Sequence, residues 1–271
     1  MKRWMNKVFS FCCLFCLCMC FLAGHAAPAI APDSSIRSGL ESLFTDPPQV
    51  HGYPYQQLIE TAAAQYGLPL PYVLAVVRGE SFFDPKARSA KGALGLMQVL
   101  PSTASDYGVK PEDLLDPATN IDVGVRYLAD LHAKLQDPYL TLAAYYCGCG
   151  GVDKAQFTLR EDCDEYVHYI HAHLQKVLER AKGEGSIPAG EVQHFLLARF
   201  DNFLDAERFL EYLSRKLPRR QLDIFRNEVT HLDHVRYQYQ ILVADGKDKG
   251  KSDICKAVEE STGFSFCWEK D

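Results

Sequence analysis

The sequence lacks an excess of positive charge. It contains 29 lysines and arginines against 35 aspartates and glutamates, and its formal net charge at pH 7 is -6. A protein that binds nucleic acid needs a basic surface to neutralise phosphates. The charge balance therefore argues against a nucleic acid as partner, and the sequence contains no internal repeat.

The sequence also lacks the ligand spacing of common metal sites. Cys147 and Cys149 form a CGC motif, but no second cysteine pair lies at zinc-ligand spacing. His168, His171 and His173 lie close together without the i, i+4 spacing that lets one helix face offer two ligands. We therefore expect no metal and no other cofactor, and we interpret these histidines as a solvated helix surface.

The one long apolar run lies at the N-terminus. Three basic residues precede it, and the small-residue stretch HAAPAIAP follows it. This order is typical of a secretory signal peptide, which we place at residues 1–26 with cleavage after Ala26. An uncleaved membrane anchor is the alternative, since the run is long enough to span a bilayer. His25 follows the LAG triplet where a lipoprotein signal has cysteine, so we do not expect lipidation.

Export predicts a periplasmic or cell-envelope location and an oxidising environment for the remaining cysteines. These are Cys147, Cys149, Cys163, Cys255 and Cys267. An odd number leaves at least one thiol outside any disulfide. We expect a Cys255–Cys267 bridge, which closes a short local loop, and a second bridge from Cys163 to Cys147 or Cys149.

The pattern from residue 53 to residue 182 is helical. Apolar residues recur at helical spacing in YQQLIETAAAQYG and in NIDVGVRYLADLHAKL. Gly67 and Gly108 follow two of the helical segments, as glycine often does at helix ends. We expect an all-helical domain over residues 51–182, preceded by a Pro/Ser/Ala-rich tether or irregular wrap over residues 27–50.

The composition changes after residue 182. GEGSIPAG (183–190) is a linker by composition. In residues 191–271, VQHFLLARF, QLDIFRNE, RYQYQILVA and FSFCW indicate strands, whereas LDAERFLEYLSRKL and DICKAVEEST indicate helices. The order βαββαβ predicts a ferredoxin-like sandwich, with one antiparallel sheet beneath two helices. The predicted class of the whole chain is α+β.

Glu80 follows the apolar helical segment YVLAVV, although ionised carboxylates are rarely buried unless paired. The stretch ESFFDPKARSAKGALGLMQVLPSTA that it opens resembles the signature of family 1 lytic transglycosylases, which are goose-lysozyme-like enzymes that cut peptidoglycan. The matching positions are Glu80, Ser81, Phe83, Pro85, Ala87, Ser89, Gly92, Ala93, Gly95, Leu96, Met97, Gln98, Pro101 and Thr103. Later blocks agree at Asn120, Ile121, Gly124, Tyr127 and Leu128, at Ala144, Tyr145 and Gly148, and at Glu165, Tyr166 and Val167.

This resemblance covers roughly residues 53–182 and implies an all-α, lysozyme-like fold for them. It also implies an enzyme, a carbon-oxygen lyase that cleaves the MurNAc-GlcNAc β-1,4 bond of peptidoglycan glycan strands without water. Glu80 would protonate the glycosidic oxygen and then accept the proton of the muramic acid C6 hydroxyl, which closes a 1,6-anhydro ring. Asp84 lies nearby, and a role for this second acid stays open.

An acid of this kind must remain protonated near neutral pH. A helix end that faces an apolar cleft favours the protonated form by desolvation, in the absence of nearby water and cations. Phe82, Phe83 and Met97 are the candidates for that apolar surround.

The predicted substrate-binding residues are Ser89, Met97, Gln98, Tyr145, Tyr146 and Tyr166. Gly92 and Gly95 would let the backbone approach a sugar closely, and Gln98 offers both a donor and an acceptor to an N-acetyl group. The sequence departs from the family pattern A-Y-N-A-G at two positions, where Tyr146 replaces Asn and Cys147 replaces Ala. Tyrosine is bulkier than asparagine, so this departure puts the fit of substrate in that subsite in question.

Residues 191–271 resemble a SPOR domain in element order and in the FLDAERFL segment. The resemblance implies binding of glycan strands stripped of stem peptides, through sheet residues such as Arg199, Tyr237 and Tyr239. The alternative is an accessory domain that packs on the catalytic one or binds a protein. Two other functions also stay open for the whole chain, which are a lysozyme-type hydrolase of the same bond and a peptidoglycan-binding protein without turnover. Association with a membrane is expected only if the signal segment is uncleaved.

Overall fold

The computed structural model describes residues 29–181, 194–217, 222–231, 234–244 and 251–263. We call residues 29–181 the helical unit and the described residues from 194 onward the C-terminal unit. The predicted signal peptide and the predicted linker lie outside the described residues.

Seven α-helices build the helical unit. They are α1 (Ser34–Thr45), α2 (Gln56–Tyr66), α3 (Leu70–Ser81), α4 (Pro101–Asp106), α5 (Pro117–Leu135), α6 (Pro138–Cys147) and α7 (Glu161–Ala181). Sequence signals set several of their ends. Gly67 ends α2 with a φ of 70°, and the Asp116 side chain caps α5 by accepting a hydrogen bond from the Thr119 N–H. No helix within the described ranges combines the length and the apolarity needed to cross a membrane.

The helical unit also contains a small sheet, so the expectation of an all-helical domain was wrong in this detail. Strands β1 (Ala29–Ile30), β2 (Val152–Asp153) and β3 (Thr158–Arg160) form an antiparallel sheet in the order β1-β3-β2. Strands of two or three residues are too short to show an alternating pattern in the sequence.

Residues 34–45 form a helix, although we expected a tether or irregular wrap over residues 27–50. Ile36, Leu40 and Leu43 lie on one face of α1 and are buried in the core. Asp33 caps the helix, and Arg37 forms an ion pair with Asp137 at 2.6 Å. The stretch is rich in Pro, Ser and Ala, and we therefore did not recognise the short apolar stripe that packs α1 against the rest of the domain.

The C-terminal unit consists of β4 (His194–Phe200), α8 (Phe203–Lys216), β5 (Leu222–His231), β6 (His234–Ala244) and α9 (Lys251–Thr262). Its antiparallel sheet has the strand order β4-β6-β5. The described elements follow the predicted order βαββα. The last predicted strand lies outside the described residues, so the ferredoxin-like class stays a prediction.

The two units share one hydrophobic core. Tyr169 of α7 packs edge-on against Phe203 of α8 and lies 6.0 Å, between ring centroids, from Tyr239 of β6. A buried ion pair joins Arg78 of α3 to Asp223 of β5. The sheet of the C-terminal unit therefore lies directly against the helices that carry the predicted catalytic residue.

The described cysteines agree with the predicted disulfides where they can be compared. Cys147 and Cys163 form a disulfide that ties the end of α6 to the start of α7. Cys149 is in no disulfide and is exposed. Cys255 is disulfide-bonded, whereas Cys267, its predicted partner, lies outside the described residues.

Candidate active site

The end of α3 places Glu80 in a cleft. The helix buries its preceding residues from Pro71 to Gly79 and stops one residue after Glu80. Phe82 and Phe83 follow in the left-handed region, with φ of 51° and 65°. Such values are costly for residues other than glycine and cluster at functional sites. The chain thus turns away sharply and leaves the Glu80 side chain at the helix end.

The cleft beside Glu80 has a volume of about 440 Å³. Its walls come from four parts of the chain, namely the end of α3, the loop at residues 84–100, the end of α6, and strands β5 and β6. The C-terminal unit contributes Phe225, Arg226, Asn227 and Tyr237. The candidate site is therefore built by both units.

Two side chains hold the carboxylate of Glu80. The hydroxyl of Tyr166 donates a hydrogen bond of 2.5 Å to Oε1. Nη2 of Arg226 lies 3.5 Å from Oε2, and the two side chains of this ion pair are only 9% and 8% exposed. Hydrogen bonds and opposite charge both favour the ionised form of a carboxyl group.

The tyrosines around Glu80 remain neutral donors. Burial, and then the charge of Glu80, raise the pKa of Tyr166 and of Tyr145 well above their ordinary value. The Tyr145 hydroxyl donates to the backbone carbonyl oxygen of Met97 at 2.8 Å. Tyr166 thus orients the carboxylate, whereas Tyr145 ties α6 to the loop that forms the opposite wall.

Tyr146 extends an aromatic cluster across the cleft wall. Its ring stacks on Tyr166 with centroids 4.9 Å apart and lies edge-on to Tyr237 at 5.6 Å. Lys91 approaches the rings of Tyr146 and Tyr237, and its Nζ donates to the Tyr237 hydroxyl at 2.8 Å. Tyr146, which replaces the family's asparagine, therefore supports Tyr166 and contacts the C-terminal unit.

Asn120 of α5 fixes the loop that contains Gly95. Its Oδ1 accepts from the Met97 N–H, and its Nδ2 donates to the carbonyls of Leu94 and Leu114, each at 2.8 Å. Gly95 has a φ of 73°, and a Cβ there would lie 2.4 Å from the Asn120 Nδ2. Gly95 thus makes room for Asn120, whereas we expected it to make room for a sugar.

The predicted substrate-binding residues fall into two groups. Ser89, Gln98, Tyr145 and Tyr146 line the cleft with Glu80. The Met97 side chain is fully buried against Gly124, and Tyr166 is 1% exposed behind Tyr146. The prediction that Met97 and Tyr166 bind substrate with their side chains is therefore corrected, because one belongs to the core and the other supports Glu80.

The surround of Glu80 also differs from the expected apolar one. Phe83 packs against Tyr53, and Phe82 packs against Phe225 and the ring of His173. The carboxylate instead contacts a hydroxyl, that of Tyr166, and a guanidinium, that of Arg226. His173 is buried as well, at 1% exposure, so it does not belong to a solvated helix surface.

Sequence reasoning missed Arg226 as a site residue, together with Lys91 and the cleft position of Tyr237. No local signal marks Arg226, which stands in an ordinary strand pattern more than a hundred residues after Glu80. Tyr237 was predicted as part of a glycan-binding sheet face. Its predicted companion Tyr239 is 3% exposed and packs inside the molecule, so it is not available to a ligand.

Comparison with known proteins agrees with the sequence analysis for the helical unit. Residues 57–164 match the model of the Transglycosylase SLT domain. This match supports the assignment of these residues to the lytic transglycosylase family.

Several curated relatives are lytic murein transglycosylases. Membrane-bound lytic murein transglycosylase F 2 of Alkalilimnicola ehrlichii is 37% identical over 172 residues, which are 57% of this chain and 36% of the relative. Membrane-bound lytic murein transglycosylase C of Actinobacillus succinogenes is 30% identical, over 53% of this chain and 44% of the relative. Soluble lytic murein transglycosylase of Escherichia coli K12 is 36% identical, over 36% of this chain and 17% of the relative. The matched part of this chain thus spans less than half the length of each of these relatives.

One solved structure in the comparison is that of the 70 kDa soluble lytic transglycosylase of Escherichia coli. It is similar over 46% of this chain and 25% of its own, with 27% identity and a TM-score of 0.39. A score of that size does not establish a shared fold.

Proposed function

We propose that this protein is an exported peptidoglycan lytic transglycosylase with Glu80 as its acid/base. The observation that carries the proposal is the Glu80 carboxyl group, held by Tyr166 at the wall of a cleft within the segment that matches the SLT domain. The names of the relatives supply the substrate class, which is murein.

The proposed reaction needs one carboxyl group in two roles. Glu80 first donates a proton to the glycosidic oxygen, while the bond from that oxygen to C1 of the muramic acid breaks. The N-acetyl oxygen of the substrate stabilises the developing positive charge at C1. The Glu80 carboxylate then accepts the proton of the C6 hydroxyl as O6 bonds to C1. Atoms balance without water, and the product ends in 1,6-anhydro-MurNAc.

The residues around Glu80 support this reaction by position. Tyr166 holds Oε1, which leaves Oε2 on the side of Arg226 and the cleft. Gln98 has a φ of 48° and lies in the cleft wall, where its amide would face the polar groups of a sugar. Ser89 closes the loop by accepting from the Ala93 N–H at 3.1 Å and shapes the same wall.

The other partners and the location are proposals as well. Names of the relatives include membrane-bound and soluble murein enzymes, which supports a place in the cell envelope. Glycan binding by the C-terminal unit would use Tyr237 at the cleft and the exposed Arg199, since Tyr239 is buried.

The test of the proposed function is the chemistry of its products. Residues 27–271 are incubated with purified peptidoglycan beside a Glu80→Gln control, and the products are analysed by mass spectrometry. We expect muropeptides lighter by one water than the hydrolysed forms, from the wild type and not from the control. Reducing-end products that the control lacks would indicate a lysozyme instead. Binding to the wall without products would indicate a protein without turnover.

A substitution of Tyr146 distinguishes an active enzyme from a binding protein whose cleft is blocked. We expect Tyr146→Asn to lower activity by about 5-fold, because the stacked ring that supports Tyr166 contributes roughly 1 kcal/mol. Rates of product release from peptidoglycan measure the effect. Tyr212→Asn, at an exposed position of α8, is the matched control and should keep wild-type activity. A large gain in activity would mean that Tyr146 obstructs the cleft, contrary to the proposal.

A further inference from the structure

Arg226 is a buried cation beside the proposed catalytic acid. It lies on β5 of the C-terminal unit, outside the segment that matches the SLT domain. Its guanidinium carbon lies between 4.6 and 5.3 Å from the centroids of four rings, those of Tyr146, Tyr166, Tyr169 and Tyr237. A charge taken out of water in this way is costly unless a counter-charge accompanies it, and Glu80 provides one.

The position of Arg226 is fixed by several contacts between the units. The Tyr169 hydroxyl donates to the Gly79 carbonyl at 2.7 Å and accepts from the Arg226 backbone N–H at 3.3 Å. The Arg78–Asp223 ion pair lies on the same two elements, α3 and β5. The helix that carries Glu80 and the strand that carries Arg226 are thus joined by two further contacts, one through Tyr169 and one through the Arg78–Asp223 pair.

Arg226 keeps its charge at every relevant pH. Burial acts to lower the pKa of Arg226, but the charge of Glu80 and the neighbouring tyrosines raise it, and the net change is upward. A guanidinium is protonated under all ordinary conditions in any case. Arg226 is therefore a permanent positive charge at the site.

The other groups that face Glu80 do not replace Arg226. Tyr145, Tyr166 and Tyr169 stay neutral, because burial raises the pKa of each. Arg78 is paired with Asp223. The remaining titratable side chains at the cleft are Asp84, Lys86, Arg88, Lys91, Tyr146 and Tyr237. The four charged members of that set are exposed, so solvent and salt screen their effect on Glu80.

We propose that Arg226 is a positioning residue that holds Glu80 in its ionised form. The C-terminal unit thereby sets the fraction of protein molecules in which Glu80 is protonated and can act as the catalytic acid. This inference rests on the proposed function, since only a reaction that begins with a protonated Glu80 makes the ion pair matter. The Glu80–Arg226 ion pair stabilises the Glu80 carboxylate, which acts as the base in the second step. It disfavours the protonated carboxyl group, which is the acid in the first step.

The consequence is a defined dependence of activity on pH. A neighbouring cation moves the ionisation of a carboxyl group to lower pH, typically by about 1–3 units. Activity then declines as the pH rises through that ionisation, because the protonated fraction falls. Removal of the cation should move this decline to higher pH and raise activity at neutral pH by about 10-fold for each unit of the move.

The experiment compares wild type, Arg226→Gln and Arg226→Lys, each as the protein purified after export, on soluble glycan strands across the pH range. For Arg226→Gln we expect the decline of kcat to move to higher pH, with KM unchanged. Arg226→Lys retains a cation and should restore the wild-type profile. Arg208→Gln, at an exposed position of α8, is the matched control and should also match the wild type. Arg226→Met, which keeps an apolar stem, replaces Arg226→Gln if that variant fails to fold.

A second readout separates this inference from the proposed function. The ionisation of Glu80 is followed directly by carbon-13 NMR of the labelled carboxyl group, assigned with Glu80→Gln. A move to higher pH in Arg226→Gln supports the inference even if the wild type releases no product, in which case the proposed function alone fails. An unchanged Glu80 titration overturns the inference. So does a higher KM with an unmoved pH profile, since that result would assign Arg226 to binding an anionic group of the substrate.

Discussion

Glu80→Gln is expected to lower the rate of product formation by about 1,000-fold or more at every pH, because it removes a group that acts as acid and then as base. The substitution keeps the shape of the side chain, and the amide oxygen can still accept the hydrogen bond that Tyr166 donates to Oε1 in the wild type. Circular dichroism at 25 °C should therefore match that of the wild type, although the melting temperature should fall because the buried Arg226 loses its counter-charge. Quantitative chromatography of released muropeptides measures the loss.

Asp84→Asn is the matched control for that experiment. Asp84 lines the same cleft, but it is exposed and accepts a hydrogen bond from the Lys86 N–H at 2.8 Å. We expect it to retain activity within a few-fold. If Asp84→Asn removed activity as completely as Glu80→Gln, the one-acid route would be wrong, and a mechanism with two carboxylates would replace it.

Asn120→Ala is expected to lower the free energy of unfolding by about 4 kcal/mol. The side chain is 1% exposed and makes three hydrogen bonds to the backbone, at Met97, Leu94 and Leu114. Each buried backbone group that loses its partner costs roughly 1–3 kcal/mol. The apparent melting temperature should fall by about 10 °C for a domain of this size, as measured by differential scanning calorimetry.

Asn227→Ala provides a comparison with the same change of side chain. Asn227 is half-buried on β5 at the edge of the cleft. We expect its loss to cost less than about 1 kcal/mol, as for most partly exposed positions. A loss for Asn120→Ala no larger than that for Asn227→Ala would show that the loop at residues 94–97 does not depend on Asn120.

Several helix ends follow directly from local sequence. Gly67 and Asp116 act at helix ends through their own backbone or side chain, so their effect does not depend on distant residues. The elements that we did not predict from the sequence also have local explanations. The two- and three-residue strands lack enough residues to display a period. Helix α1 does show a helical period at Ile36, Leu40 and Leu43, but the composition of the stretch around it favoured a tether.

The sequence by itself determined that Glu80 opens the motif and that a cleft residue would stand at Tyr146, because ordered local patterns carry both. It also predicted that Cys163 would bond to Cys147 or Cys149, and the structure shows the bond to Cys147. Only the tertiary structure decided what the Glu80 carboxylate contacts. Arg226 lies on a strand of the other unit, and its approach to Glu80 depends on how the sheet packs against α3 and α7. A contact between residues so far apart in the chain leaves no periodicity or spacing in either segment, and this is why the charge beside the proposed catalytic acid could not be read from the sequence.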